Sequence, residues 1–388
     1  MAATPTPAVG ATPTPTIEAT PTAPPLSPSP TAQIESPTPT ATTGLDPAIA
    51  ATLQATIETL RKRGNFPGIS AAVVFPDGSL WTGQSGVGVL STGAALTADT
   101  IFSVGSISKT FTAALALRLA EKGTIGLDDR LSRWVPTFPN AAHITLRELL
   151  NHTSGIRDFF EPEIYKYIGA NHDKTWTPEQ VLAKIGRPYF APGKGYHYSS
   201  SNYLLLGMAL EKAAGQPLAT LIRTEFLDPL GLGHTFFQGQ ESVGGTPAHG
   251  YLVPPSAPKD VSVGQTMLPY VSVATASGAA GGFVSTASDI ARWASALYGG
   301  QVLEPASLAA MTNLSATKPY HPTFAYGLGV EQLPVDGHLA WGHRGHLDGF
   351  WSTMAYLPDV HLTVSITVNA DWPDPLKTVS AIVKTALG

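Results

Sequence analysis

The chain contains no cysteine. That excludes a disulfide-stapled scaffold, thiol catalysis and every zinc or iron–sulfur site built on thiolates. Charge is scarce as well: charged residues make up 13% of the 388, and the net charge is -5. No basic run could neutralise a phosphate backbone, so nucleic-acid binding is not expected. Nowhere do about 20 apolar residues follow one another, so no membrane span is expected. What the chain does have is apolar content, 43%, with 38 glycines and 34 prolines. That is ample for a core, and the length suits two or three domains, or one large enzyme with an inserted subdomain.

Residues 1–43 stand apart. Thr, Pro, Ala and Ser dominate them, as in Ala11-Thr12-Pro13-Thr14-Pro15-Thr16. Such a segment cannot bury enough surface to offset its ordering entropy, so it reads as a disordered, polyproline-like tether. Met1 stands directly before this run, with no charged-then-apolar leader between them. The expectation is that an export signal has been removed and that the protein is secreted or associated with the cell envelope.

The folded domain is expected over 44–388. Asp46 and Pro47 open a helix with Ile49, Leu53, Ile57 and Leu60 at helical spacing, and Gly64 closes it behind three basic residues. A strand over Ile69–Phe75, a Pro76-Asp77-Gly78 turn and a return strand from Leu80 follow. Helices are predicted over Ser106–Lys122, Leu146–Leu150, Pro178–Ile185, Tyr203–Ala214, Leu218–Glu225 and Ser288–Leu297, the last capped by Ser288. Strands are predicted over Phe324–Val330, Leu339–Gly342, Phe350–Leu357 and Leu362–Val368, and a helix over Leu376–Leu387 ends the chain. Strands at both ends with helices between imply an α+β fold: an antiparallel sheet flanked by helices (about 44–105 and 285–388) with a mainly helical insertion (about 106–284).

The sharpest chemical candidate is Ser106-Ile107-Ser108-Lys109. A serine hydroxyl is a poor nucleophile until a base takes its proton. Residues three apart on a helix share a face, so Lys109 can reach the Ser106 oxygen, and the helix start favours developing negative charge. Lysine serves as a base only if burial or a neighbouring charge lowers its pKa. The same spacing recurs at Ser256-x-x-Lys259 and Ser315-x-x-Lys318, but Pro258 and Pro319 disfavour a helix there. Two further segments draw attention: Tyr198-Ser199-Ser200-Ser201-Asn202 ahead of an apolar helix, and Gly342-His343-Arg344-Gly345-His346 near the end.

Taken together, Phe102-Ser-Val-Gly-Ser106-Ile-Ser-Lys109, Leu149-Leu-Asn-His-Thr-Ser-Gly-Ile156, Tyr198-Ser-Ser-Ser-Asn-Tyr-Leu-Leu-Leu-Gly207 and Gly342-His-Arg-Gly345 resemble the penicillin-recognising serine hydrolase superfamily. The branch is the one holding class C β-lactamases, DD-carboxypeptidases and related family VIII-type esterases. The resemblance spans roughly residue 46 to the end and implies a β-lactamase/transpeptidase-like fold. By position, Ser106 resembles the acylated nucleophile, Lys109 its proton-transfer partner and Tyr198 the tyrosine that relays the proton to the leaving group. His343-Arg344-Gly345 stands where relatives carry Lys-Thr-Gly or His-x-Gly, which places His343 among the catalytic residues. The backbone N–H groups of Ser106 and His346 would form the oxyanion hole. Leu149–Ile156 reads as scaffold beside the site.

The implied activity is hydrolysis of amide or ester bonds through a Ser106 acyl-enzyme, of D-alanyl-D-alanine carboxypeptidase or esterase type. A class C-like β-lactamase and a penicillin-binding, peptidoglycan-associated module with little turnover are the alternatives. The expected partner is a small molecule or a peptidoglycan peptide, and neither cofactor nor metal is implied. His338, His343 and His346 offer a rival metal site but lack a helix to fix their geometry. Two departures from the pattern bear on substrate. Ser200 stands where relatives carry an Asn that meets an acylamido side chain, and Asn202 is a candidate to compensate. His343 replaces a permanent cation with a group of ordinary pKa near 6.5. Arg344 either supplies that cation, next to Gly345, or is a solvated strand-edge side chain.

Overall fold

The computed structural model describes residues 1–2, 40–41, 45–252, 256–317, 325–372 and 375–388. The chain divides into two units, 1–35 and 36–388. Apart from Met1, Ala2 and Thr40–Ala41, the expected tether lies outside the described residues. Thr40–Ala41, which composition assigns to the tether, adds a short edge strand that pairs with Leu80–Val89.

The second unit is α+β. Its main sheet runs, in spatial order, Thr40–Ala41, Leu80–Val89, Gly68–Val74, Leu362–Val368, Phe350–Leu357, His338–Leu347 and Glu331–Val335, antiparallel throughout, with Ala94–Ala95 paired off Leu80–Val89. The central strands are buried on both faces: Gly68–Val74 reads as a mostly apolar run, while Leu362–Val368 alternates aliphatic residues with Thr363, Ser365 and Thr367, which are buried as well. Ile69, Ala71 and Val73 face the Pro47–Gly64 and Pro375–Leu387 helices, while Ala72 and Val74 face the Ala287–Tyr298 helix.

A larger apolar core gathers the remaining helices, among them Ser108–Glu121, Leu146–Leu150, Ser200–Ala214 and Val271–Gly281. The Ser108–Glu121 helix is buried nearly all round. Phe111 stacks between Phe283 and Trp293, with ring centroids 5.0 and 4.3 Å away. Truncating such a side chain typically costs about 3–5 kcal/mol, so this helix is held rigidly beneath the site.

Several boundaries differ from the sequence reading. Gly64 is the last residue of its helix, and Asn65 takes the left-handed cap. Thr286, not Ser288, caps the Ala287–Tyr298 helix by accepting from the Asp289 N–H. No strand forms over the described residues 325–330, because Gly327 lies against the Met311 carbonyl and Gly329 takes φ +78°. Glu331–Val335 pairs there in its place, despite Pro334. The Val271–Gly281 helix gave no large apolar stripe to read; its small residues let it approach Gly207 so closely that a Cβ there would lie 2.7 Å from the Ala279 Cβ.

Candidate active site

Ser106 sits between Val104 and Ile107, both in the larger core. The strand Thr100–Ser103 delivers the chain to Gly105, whose φ of +49° turns it into a 3-10 turn and then the Ser108–Glu121 helix. The Ser108 hydroxyl donates to the Gly105 carbonyl and accepts from the Phe283 N–H, locking the turn. Ser106 itself is half-buried and reachable. Lys109 is fully buried, with its Nζ 2.9 Å from Ser106 Oγ and donating to the Ala280 carbonyl at 2.8 Å. Burial lowers its ammonium to about 7, although the Asp158 and Glu331 carboxylates pull the other way.

Tyr198 lies in an extended segment just before the Ser200–Ala214 helix. Its ring is 5.0 Å from Lys109 Nζ. Burial pushes its phenol well above the usual value, Glu331 adds to this, and a hydrogen bond to Ser106 works against it. The structure thus brings Ser106, Lys109 and Tyr198 together.

The opposite wall is the strand His338–Leu347. Leu347 and Phe350 flank a two-residue turn, so they form a hydrogen-bonded pair and His346 with Trp351 the following non-bonded one. The His346 N–H therefore points to the outer edge of the strand, where pairing with Glu331–Val335 has already ended at Gly342. That edge presses on the Ser106 turn: a Cβ on Gly105 would lie 2.7 Å from the His346 nitrogen, and one on Gly345 would lie 1.9 Å from the Val104 oxygen. Both positions require glycine. The His346 side chain turns to Asp371 at 2.6 Å and stacks on Trp351.

The remaining sequence candidates are placed otherwise than expected. His343 is fully buried; its Nδ1–H donates to the Arg344 carbonyl at 2.6 Å and its Nε2 accepts from Tyr326 at 2.9 Å. Burial pushes it to about 4, so it is neutral at pH 7 with both nitrogens engaged. Arg344 is not a free cation for a substrate: its Nε lies 2.9 Å from the buried Glu331 carboxylate, which also accepts from the Arg344 N–H. Nor does Asn202 compensate for Ser200. Its side chain is fully buried, accepting from Ser154 at 2.6 Å and donating to His152. Ser200 is buried too, and its N–H donates to Asp158. His338, His343 and His346 turn to Asp359, Tyr326 and Asp371 respectively, and the described residues hold no metal-binding cluster. Ser256-x-x-Lys259 is not helical, and Lys318 lies outside the described residues.

Sequence reasoning missed Asp158, Tyr326 and Glu331. Asp158 Oδ1 accepts from the Phe160 and Ser200 N–H groups, while its Oδ2 makes no hydrogen bond among the described residues. Its charge reaches Lys109 and Tyr198. The one available signal was an acid two residues beyond an apolar, hydroxyl-rich stretch. Nearby, Tyr165 and Tyr270 both donate to Asp348 just past the His338–Leu347 strand, clamping it to the Pro162–Gly169 helix.

The family described as Beta-lactamase matches residues 53–385. Penicillin-binding protein 4* of Bacillus subtilis (strain 168) is 29% identical over 357 residues, covering 86% of this chain and 74% of its own. The solved D-amino acid amidase from Ochrobactrum anthropi SV3, complexed with L-phenylalanine amide, superposes with a TM-score of 0.76 at 25% identity, over 87% of this chain and 98% of that one. A D-stereospecific amidohydrolase from Streptomyces sp. does so with a TM-score of 0.74 at 30% identity, over 85% and 97%. A serine beside a buried amine, on this fold and with these relatives, identifies the chain as a member of the Beta-lactamase family and a serine hydrolase of amide or ester bonds.

Proposed function

We propose that this hydrolase cleaves amides and esters of amino acids that carry a free amine, in the manner of a D-aminopeptidase or D-amino acid amidase. Lys109, poised near pH 7 by burial, takes the Ser106 proton as the hydroxyl attacks the carbonyl carbon. Tyr198 passes that proton to the departing nitrogen or oxygen. The N–H groups of Ser106 and His346 receive the tetrahedral oxyanion, where one such donor is worth about 3–4 kcal/mol of barrier. Water then cleaves the acyl-Ser106 ester.

The observation that carries the substrate class is the charge around Ser106. Lys109 is turned inward, Arg344 is taken by Glu331 and His343 is neutral, so each cation the sequence offered to a substrate carboxylate is engaged elsewhere. Asp158 brings a carboxylate with one oxygen open; burial pushes its pKa above the usual carboxylate range, so a substrate ammonium beside it would hold it ionised, whereas a substrate carboxylate would not. The amidase and amidohydrolase neighbours agree with this choice. D-Alanyl-D-alanine peptides and β-lactams, which present a carboxylate, are disfavoured by the same argument.

The experiment compares D-phenylalanine amide, its N-acetyl derivative, a D-alanyl-D-alanine peptide and a chromogenic cephalosporin. A charge-assisted hydrogen bond is worth about 1.5–3 kcal/mol, so kcat/KM should favour the free amine by about 10-fold or more. Asp158→Asn should remove that preference, and any change shared equally by the N-acetyl substrate reports the loss of the Asp158 charge beside Lys109. Preference for the D-alanyl-D-alanine peptide would overturn the reading.

A further inference from the structure

Tyr198 poses a structural problem. It is carried on residues 195–199, which form neither helix nor strand, so no ladder of backbone hydrogen bonds holds it. A phenol that must face Ser106 within a few tenths of an ångström needs some other anchor.

His152 provides one from three directions. Its carbonyl accepts from the His197 N–H at 3.1 Å, on one side of Tyr198. Its Nδ1 accepts from the Ser199 N–H at 3.2 Å, on the other side. Its ring packs against the Tyr198 ring with centroids 4.3 Å apart. The tautomer is fixed as well. Asn202 Nδ2 donates to the same Nδ1 at 3.1 Å, and Asn202 cannot turn round because its Oδ1 accepts from Ser154 at 2.6 Å. With two donors aimed at Nδ1, the ring proton sits on Nε2, which is buried and makes no hydrogen bond among the described residues. His152 also takes φ +61°, a left-handed conformation seldom used by a side chain of this size. A strained backbone and an orphaned buried donor are tolerated where position matters more than stability.

We infer that His152 is a positioning residue for Tyr198: it fixes the phenol against Ser106 by holding the backbone on both sides of Tyr198 and the ring between. Ser154 and Asn202 hold His152 in turn. The inference rests on the assignment of Tyr198 as proton relay, and the experiment separates the two.

Burst and steady-state kinetics on a chromogenic ester are measured across pH for wild type, Tyr198→Phe, His152→Ala, His152→Asn and Asn202→Ala. Intact folding is checked by thermal melting and by active-site labelling stoichiometry. A misplacement of about 1 Å is worth about 100-fold in rate, so His152→Ala should lower kcat by about that factor with KM nearly unchanged, and should displace the limb of the pH profile that reports the relay. His152→Asn keeps an acceptor and tolerates the left-handed backbone, and should recover about a tenth of wild-type kcat. Asn202→Ala, which removes one of the two donors at Nδ1 and the link from His152 to Ser154, should give a smaller loss with the same displaced limb. If His152→Ala folds and keeps wild-type kcat while Tyr198→Phe is inactive, the inference fails and the relay stands. If Tyr198→Phe is fully active, the relay itself fails. Should His152→Ala not fold, Asn202→Ala decides: a wild-type pH profile and kcat would sink the inference.

Discussion

The site has two walls, each with a cation, and the two are treated in opposite ways. On the helix wall, Lys109 is fully buried with an alcohol and a carbonyl as its hydrogen-bond partners and no carboxylate in contact, so burial wins and the amine is half neutral near pH 7. On the strand wall, Arg344 is given a carboxylate partner, Glu331, at 2.9 Å and stays a structural cation. The difference teaches that a fully buried amine without a salt bridge becomes a base, whereas a part-exposed guanidinium, which keeps its proton in any case, becomes a brace when paired with a carboxylate.

Removing the base should have the largest effect. Lys109→Met should lower kcat/KM by about 10³-fold or more, read with a chromogenic ester. In wild type, kcat/KM should rise with pH as Lys109 loses its proton around 7. Stability carries the same signature. The native pKa lies below the unfolded 10.5, so between about 7 and 10.5 the unfolded chain binds the extra proton and stability rises with pH. Urea melts at pH 7 and 9 should show that rise in wild type and lose it in Lys109→Met.

Breaking the brace comes next. Arg344→Ala should destabilise by about 1–3 kcal/mol, a figure discounted because the guanidinium is a third exposed. KM should change equally for carboxylate-bearing and neutral substrates, and Glu331→Gln added to Arg344→Gln should restore most of the melting temperature. A KM rise confined to carboxylates would show instead that the guanidinium reaches the substrate.

His343 sharpens the contrast as a neutral group on the cationic wall. Its native pKa of about 4 lies below its ordinary 6.5, so stability should fall as pH drops from 6.5 toward 4. Between pH 6.5 and 5 this amounts to about 1–2 kcal/mol, and melts of His343→Asn should show that much less acid sensitivity. The smallest effect belongs to the Tyr165–Asp348–Tyr270 clamp that ties the end of the strand wall to the Pro162–Gly169 helix. Asp348→Asn should destabilise by about 1 kcal/mol; an unchanged melting temperature would mean the clamp contributes nothing to stability.

Local signals located much of the fold. The Asp46 cap, the Phe350–Leu357 and Leu362–Val368 strands and the Ser106 helix follow from capping chemistry and apolar spacing. The Val271–Gly281 helix and the Glu331–Val335 strand did not, because small residues and a proline hide elements whose existence depends on the neighbours they pack against. Of the site, Ser106 and Lys109 were legible since one helical turn fixes their distance. Asp158 and Glu331 were not, since each acts on residues far along the chain.

The sequence by itself determined the family and placed Lys109 one helical turn from Ser106, because both rest on short-range spacing and on motifs in fixed order. Only the tertiary structure decided which charges survive at the site. Whether Arg344 meets a substrate or Glu331, whether His343 is charged, and whether Asn202 faces solvent or His152 are settled by burial and by partners brought from distant segments. Desolvation and pairing depend on three-dimensional neighbours, and no local pattern encodes them.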